Sequence, residues 1–471
     1  MNYYRSFNIP LIHHVNYRYI GMQFPSKKTL NFPNFILLST IYMLVLSFFN
    51  PAHAFSLMDV YMMAKQQDAD IHAAESRYNA EILETPIARA NVLPQASINA
   101  NTTDVNQETD GSTFGVSGRE VDFNDHGYTL SITQALYHHD YYVQLRQAKT
   151  SVARAGIDLD ASYQELITRT ADAYFNVLAE QDNVNFRISE KEAIERQLEQ
   201  AKKRFEVGLI AITDVKEAQA SYDLAVASEI EAQNAFEISK DSLEVIIAER
   251  ASELNSLSDR MQLITPVPND VDEWINKALN ENLTLLSSEH TRKIAQQEVK
   301  LQQSQHYPKL DIVATHTDTD TGGLSGNRES EDSRIGLELS FPIFEGGRTH
   351  YRTKQARYRA ELSTNEHEKI RRETIKNTRD AYLNVISGVS RVKALARALE
   401  STEAAARAAE AGFQVGTRTS VDVLLALRET FRAKRDYSRA RYDYLLNTLN
   451  LKQAVGTLSV DDLVQIDGWL N

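Results

Sequence analysis

The chain has 471 residues, of which 42% are apolar and 24% charged, and its formal net charge is −13. That acidic balance makes nucleic acid a poor partner, and the absence of cysteine excludes disulfides, thiolate catalysis, thiolate metal sites and a lipid-modified N-terminal cysteine. Only 10 prolines occur, and long stretches are dominated by Leu, Ala, Glu, Arg and Gln, so the fold is expected to be mainly α with a small β part.

Positions 1–54 carry four basic residues, Arg5, Arg18, Lys27 and Lys28, and no acid. Lys27-Lys28 precedes an apolar run from Phe35 to Phe49, followed by Ala52-His53-Ala54. A basic region, an apolar region and a small-x-small triplet predict a secretion signal cleaved after Ala54. Translation is expected to start at Met1 or at Met22, because residues 1–21 do not resemble a signal. A retained anchor is the alternative, although the run is short for a spanning helix. Without residues 1–54 the chain has 47 basic and 64 acidic residues, a charge of −17. Such a surface suits a solvated duct that favours cations.

The mature chain repeats itself. Phe205-Glu206-Val207-Gly208 recurs as Phe413-Gln414-Val415-Gly416, a shift of 208 residues. The same shift carries Asp214-Val215 onto Asp422-Val423, Ala173-Tyr174 onto Ala381-Tyr382, and Leu243 onto Leu451. Two structural repeats follow, 55–261 and 262–471, joined near Glu249–Asp270 where Pro266 and Pro268 fall.

Each repeat has one layout. A helical stretch ends at Pro94 or Pro308. Short alternating strands follow: Ala96, Ile98 and Ala100, then Tyr128, Leu130 and Ile132; in the second copy Leu310, Ile312 and Ala314, then Ile335, Leu337, Leu339 and Phe341. Between the strands, Asn101–Asp125 and Thr317–Ser333 read as polar loops by composition. Period-two alternation over about ten residues is what a membrane barrel strand shows. A stretch free of proline runs from Tyr141 to Val207, and as a helix it would reach ~100 Å. Its apolar residues keep 4-3-4 spacing at Ile167, Ala171, Tyr174 and Leu178, and again at Ile194, Leu198, Ala201 and Phe205. The second copy does so from Leu395 through Leu399, Thr402, Ala406 and Ala409 to Phe413. This is coiled-coil spacing. The Val-Gly pairs then turn the chain into a return helix.

Four strands cannot close a barrel, and an open edge in lipid leaves backbone groups unpaired at several kcal/mol each. Either the sheet lies outside a membrane or several chains share one barrel. The secretion signal and long helices favour the second, and three chains would supply a shared 12-stranded barrel, four strands per chain.

At this point the chain resembles a family, the TolC outer-membrane efflux proteins. The resemblance rests on Val207-Gly208-Leu209-Ile210-Ala211-Ile212-Thr213-Asp214-Val215, on Val415-Gly416-Thr417-Arg418-Thr419, on Val421-Asp422-Val423-Leu424, on Phe341-Pro342-Ile343-Phe344-Glu345-Gly346-Gly347, and on Ala440-Arg441-Tyr442-Asp443-Tyr444-Leu445. The order of these strings within a duplicated frame makes it specific. It implies a homotrimer with an outer-membrane barrel, a trimeric α-barrel tunnel reaching into the periplasm of a Gram-negative bacterium, and an equatorial belt to which the C-terminal segment contributes. The implied function is a passive exit duct for type I secretion or multidrug efflux, opened by an iris-like movement of the helices. The implied partners are a periplasmic adaptor (a membrane fusion protein) and an inner-membrane pump of the RND, ABC or MFS type.

The resemblance also implies roles for residues at the tip. Thr213 and Asp214 beside one turn and Arg418 beside the other would form a gate latch, with Gln197 and Glu410 a second tie. The family pattern has tyrosine where this chain has Phe413, whose ring has no hydroxyl to donate, so this latch is expected to be looser. Asp422 would line the pore constriction as a ring of three carboxylates whose mutual repulsion raises some pKa values. The family's second acidic position is Leu425 here, which predicts weaker cation selection. Gly208, Leu209, Gly416 and Thr417 would meet the adaptor.

No enzyme chemistry is visible. His138-His139-Asp140 lacks metal-ligand spacing on one face. Asp318 and Asp320 before Gly322 are similar to the start of a calcium loop but lack its remaining ligands. No nucleophile–base arrangement and no phosphate-binding glycine loop occurs, and no cofactor is expected. The competing reading is a periplasmic coiled-coil adaptor or scaffold without a pore, which accounts for the signal and the heptads but not for the paired strands.

Overall fold

The computed structural model describes residues 54–109, 119–251, 253–258, 260–323 and 326–470. The expected signal segment lies outside the described residues apart from Ala54. Three short helices come first, α1 (Leu57–Gln67), α2 (Ala69–Glu81) and α3 (Glu84–Ala90). Ser56 caps α1 through a reciprocal box with Asp59, and Asp68 caps α2 by accepting from the Ile71 N–H. The strands β1 (Gln95–Thr109) and β2 (Arg119–Tyr137) lead into α4 (His139–Glu206, 68 residues) and its return helix α5 (Ile212–Ile247). Then come α6 (Val271–Glu281) and α7 (Leu283–Ser304), the strands β3 (Lys309–Thr321) and β4 (Arg328–Ser340), α8 (Arg348–Gln414, 67 residues), α9 (Ser420–Val455) and the short α10 (Val460–Asp467). The order β1-β2-α4-α5 thus recurs as β3-β4-α8-α9. Among the described residues no helix is long and apolar enough to cross a membrane.

The strands form one antiparallel sheet in the order β1-β2-β3-β4, which leaves β1 and β4 as open edges. Register places Ala96 beside Ile132, Ile132 beside Ala314 and Ala314 beside Ile335, so one apolar row crosses the whole sheet. That face is bare in a single chain. Ile98 is 68% exposed and Ile335 81% exposed, values for which water gives no reason.

The polar segments read as loops are instead largely strand. The ladder of β1 and β2 continues from Asn101–Gly127 up to Thr109–Arg119, and that of β3 and β4 up to Thr321–Arg328. The composition misled because Asn, Thr and Asp are turn formers in isolation, whereas here their side chains bond across the strands. Asn106 donates to Glu120 and Asp122 at 2.8 Å, and Asn124 donates to Asp104 at 2.7 Å. Asp318 and Asp320 sit in this ladder opposite Glu331 and Glu329, which removes the likeness to a calcium loop.

The main core lies where α4, α5, α8 and α9 pass the short helices. The heptad residues Ile167, Ala171, Tyr174 and Leu178 are all buried there, with Tyr382, Val385, Tyr444, Leu445 and Leu449 from the second copy. Full burial of each large side chain contributes roughly 1.5–3 kcal/mol. Phe175 stacks on Tyr442 at 5.8 Å between ring centroids. The buried Tyr174 hydroxyl reaches the carbonyls of Phe55 and Asn255 at 3.1 and 2.8 Å, so the segment at Phe55 is fastened to the long helix. Burial holds the Tyr174 phenol well above the ordinary tyrosine range. Further down α4 a smaller cluster of Ile194, Leu198, Ala201, Ala218, Ala225 and Leu424 continues the seam, with alanines that let the helices approach closely.

Candidate functional site

The two helical hairpins end in matched turns. Gly208 (φ 74°) and Gly416 (φ 79°) both take the left-handed conformation that stops α4 and α8. Leu209 N–H returns to the Arg204 carbonyl at 2.9 Å, and Thr417 N–H returns to the Gly412 carbonyl at 2.8 Å. Val207, Leu209 and Val415 stand 70–75% exposed around the glycines, so each tip presents an apolar knob. Thr417 is exposed and spends its hydroxyl on the Gly412 carbonyl at 3.1 Å.

Below the turns, the copies differ in how they start the return helix. Thr419 caps α9: its hydroxyl accepts from the Asp422 N–H at 3.2 Å, while the Thr419 N–H and hydroxyl both donate to the Asp422 carboxylate at 2.9 Å. The equivalent cap of α5 is Ala211, whose carbonyl accepts the Asp214 N–H at 3.2 Å but which has no side-chain group to offer the Asp214 carboxylate. Asp422 is thus occupied within its own helix. The Thr419 backbone N–H first, then its hydroxyl and the Arg418 charge, hold its carboxyl below the usual range. In one protomer this opposes the upward shift expected of a carboxylate ring. Asp214 makes no side-chain hydrogen bond or ion pair among the described residues. Neither does Arg418, which is exposed, nor Thr213.

The second expected tie is also unmade among the described residues. Gln197 is buried in the lower seam with its amide oxygen lacking a partner, while Glu410 is exposed on α8. Phe413 is 4% exposed, and the Arg204 guanidinium lies 4.1 Å above its ring and reaches its carbonyl at 3.4 Å. A cation–π contact therefore fastens the two tips where a tyrosine hydroxyl is missing. Arg204 was not foreseen. The signal was available, because the shift of 208 carries Arg204 onto Gly412. An added Cβ there would stand 2.7 Å from the Arg418 Cγ, so the exposed Arg418 side chain would have to shift to admit one.

Higher on the seam, polar bonds join α4 to α9. Glu190, nearly fully buried, accepts from Arg187 at 2.9 Å and from Arg435 at 3.3 Å. Asp182 accepts from the Tyr442 hydroxyl at 2.9 Å, and Arg439 donates to Asn176 at 3.1 Å. At the other end of α4 His138 is buried, with Nε2 3.0 Å from both Asp311 oxygens, its ring stacked on Tyr141, and Asp140 paired with Lys309. These bonds fasten the junction of β2 and α4 to β3.

Long hairpins, a sheet bare on one face with open edges, and paired glycine tips are the attributes of a duct wall. The family model for outer membrane efflux proteins matches residues 60–249 and again 274–457, and the chain belongs to that family. Among its relatives it is similar to outer membrane protein TolC of Vibrio cholerae serotype O1, 34% identical over 419 residues that cover 88% of this chain and 94% of that protein. It is 31% identical to TolC of Escherichia coli K12 over 89% of this chain and 86% of that protein. It also resembles the alkaline protease secretion protein AprF of Pseudomonas aeruginosa, at 28% identity over 88% of this chain and 86% of that protein. Among solved structures, VceC of Vibrio cholerae superposes with a TM-score of 0.72 at 18% identity, over 85% of this chain and 96% of that one. The protein is therefore an outer-membrane protein of the TolC type, a family of channels and not of enzymes, and the pore-less scaffold falls away.

Proposed function

We propose that three copies of this chain form a passive exit duct that spans the outer membrane and reaches into the periplasm, serving type I secretion or drug efflux. The sheet's two open edges support the trimer, because three sheets joined edge to edge leave no strand unpaired in lipid. The hairpin tips would form the periplasmic gate, and an adaptor would meet Gly208, Leu209, Gly416 and Thr417 before the pump engages.

One observation carries the gate: Asp214 and Arg418, of opposite charge and beside matching turns, make no side-chain hydrogen bond or ion pair among the described residues, and Arg418 acts on Asp422 only through its charge. Neighbouring protomers in a closed ring would supply the contact. Thr213 would add a hydroxyl, and Glu410 would take the Gln197 amide N–H. Exposed ion pairs of this kind are worth about 1 kcal/mol or less each, weak enough for a docking partner to break. Asp422 would ring the constriction while its carboxylate caps α9.

Single-channel conductance of the purified trimer in a planar bilayer tests the latch. Arg418→Glu is expected to raise the resting conductance severalfold, and adding Asp214→Arg to return it to the parent value. An Arg418→Glu trimer that conducts like the parent would remove the latch. Unchanged cation selectivity in Asp422→Ala would remove the ring.

A further inference from the structure

Beside the main core, between the segment around Pro266, the middle of α8, the C-terminal end of α9, and α10, the chain leaves a cavity of about 210 Å³. Its walls are apolar and largely flat: Trp274, Trp469, Tyr444, Val385, Leu449 and Ile466. The polar atoms set deeper in its wall are already engaged, and Thr265 and Gln465 stand at the exposed rim. Tyr444 hydroxyl donates to the Ile264 carbonyl and accepts the Ile264 N–H, both at 2.8 Å. Trp274 Nε1 donates to the Pro268 carbonyl at 2.8 Å, and Thr448 donates to the Leu445 carbonyl at 2.7 Å. Lys452 and Asp462 close on each other as an ion pair. What faces the void is therefore mainly two indole surfaces, a phenol ring and aliphatic carbon, with the uncharged Thr265 hydroxyl and Gln465 amide at the rim.

We propose that this cavity is a binding site for a small uncharged aromatic molecule of one or two rings. Three features select that class. A cavity of roughly 150 Å³ lined by apolar side chains is enough to hold a benzene ring, so 210 Å³ admits one ring with substituents or two fused rings. A helix or a protein loop does not fit that volume. The closed Lys452–Asp462 pair gives a charged ligand no counter-ion, and breaking it to make one costs desolvation of the other partner. The indole and phenol rings offer edges and faces that a second ring meets in stacked or tilted geometry. The mouth is open, since Val267 at its rim is 81% exposed and Ile264 is 44% exposed. A bound molecule would touch α8 through Val385, α9 through Tyr444 and Leu449, and α10 through Ile466. It would wedge the segment beside the core against the two long helices.

The chain has only two tryptophans, Trp274 and Trp469, and both line this cavity. Tryptophan emission is therefore a local reporter. Bromobenzene, a heavy-atom quencher, is titrated into the full-length trimer in detergent with excitation on the red edge of tryptophan absorption. Saturable quenching is expected in the parent, together with a bromine anomalous peak between the two indoles in crystals soaked with the same compound. Thr448→Phe, which puts a ring into the void, is expected to weaken the midpoint by about tenfold or more, the loss of about 1.4 kcal/mol. Val267→Phe alters only the exposed rim and is expected to weaken it in the same direction, should Thr448→Phe fail to assemble. Quenching that rises linearly without saturation and is identical in the parent and the variants would overturn the proposal.

Discussion

Replacing Glu190 by glutamine is the sharpest test of the seam that joins the two repeats. The carboxylate is 6% exposed and holds Arg187 on its own helix and Arg435 on α9. Hydrogen bonds to charged groups contribute about 1.5–3 kcal/mol each. The guanidinium side chains retain 26% and 20% exposure, so water offsets part of the loss. The net cost is on the order of 2 kcal/mol per protomer, well below that of breaking a fully dry pair. Such a loss is about a thirtyfold change in a local opening constant. Amide hydrogen exchange of α9 around Arg435, read in the assembled trimer, should quicken by that factor in Glu190→Gln. A double-mutant cycle with Arg435→Met isolates the pair, and a coupling under ~0.5 kcal/mol would refute the reasoning. Burial already lowers the Arg435 pKa, with the nearby Arg187 charge adding to the effect, so the cation is under strain that only Glu190 and Asp436 offset.

Three further outcomes follow from the tips and the turns. Arg204→Ala should loosen the tip by about 1 kcal/mol, the cation–π contact with Phe413, and speed exchange around Gly208 roughly fivefold; equal effects of Phe413→Leu with and without Arg204 would dissociate the two residues. Because the folded pKa of Asp422 is lowered, its contribution to the start of α9 is fully present above the ordinary aspartate value near pH 4 and is lost as pH falls through the lowered one. Amides from Thr419 to Val423 should therefore lose protection below about pH 4 in the parent, whereas Asp422→Asn should show a flat profile. Gly456 stands at φ 90°, and a Cβ there would meet the Glu281 carbonyl oxygen at 2.2 Å. Backbone strain plus that clash should cost about 2–4 kcal/mol in Gly456→Ala, read as a lower thermal midpoint; a midpoint equal to the parent's would show that the α6–α7 junction yields.

The long helices and the repeat were legible because a proline-free stretch with heptad spacing at 167–178 and 194–205 admits one reading, and α4 begins within two residues of the expected start. The glycine tips were legible for the same reason, since Val-Gly after an uninterrupted helix can only turn. The upper strands were not legible. Asn101–Thr109 and Thr317–Thr321 have turn-forming composition, and their pairing is set by partners far along the chain. The Arg204–Phe413 and Glu190–Arg435 contacts were hidden likewise: each joins residues 209 and 245 positions apart, and neither side chain alone departs from an ordinary helix surface. The capping role of Thr419 is visible only beside Ala211, the position where the copies diverge.

The strand lengths make the lipid bilayer itself selective for this protein. On β2 the exposed apolar side chains Tyr128, Leu130, Ile132 and Leu136, interrupted by Gln134, span about 27 Å along the strand. At a barrel tilt of about 40° that is near 20 Å along the membrane normal. The strand is 19 residues long, so less than half of it has a surface suited to hydrocarbon. On the same face the remainder carries Glu120, Asp122, Asn124 and His126, paired with Glu108, Asn106, Asp104 and Thr102 of β1, a polar ladder that demands water. In a thick bilayer those carboxylates would be drawn into hydrocarbon, and a thin one spares them. A graded series of lipid chain lengths should therefore sort the trimer by bilayer thickness, independently of any partner at its other end.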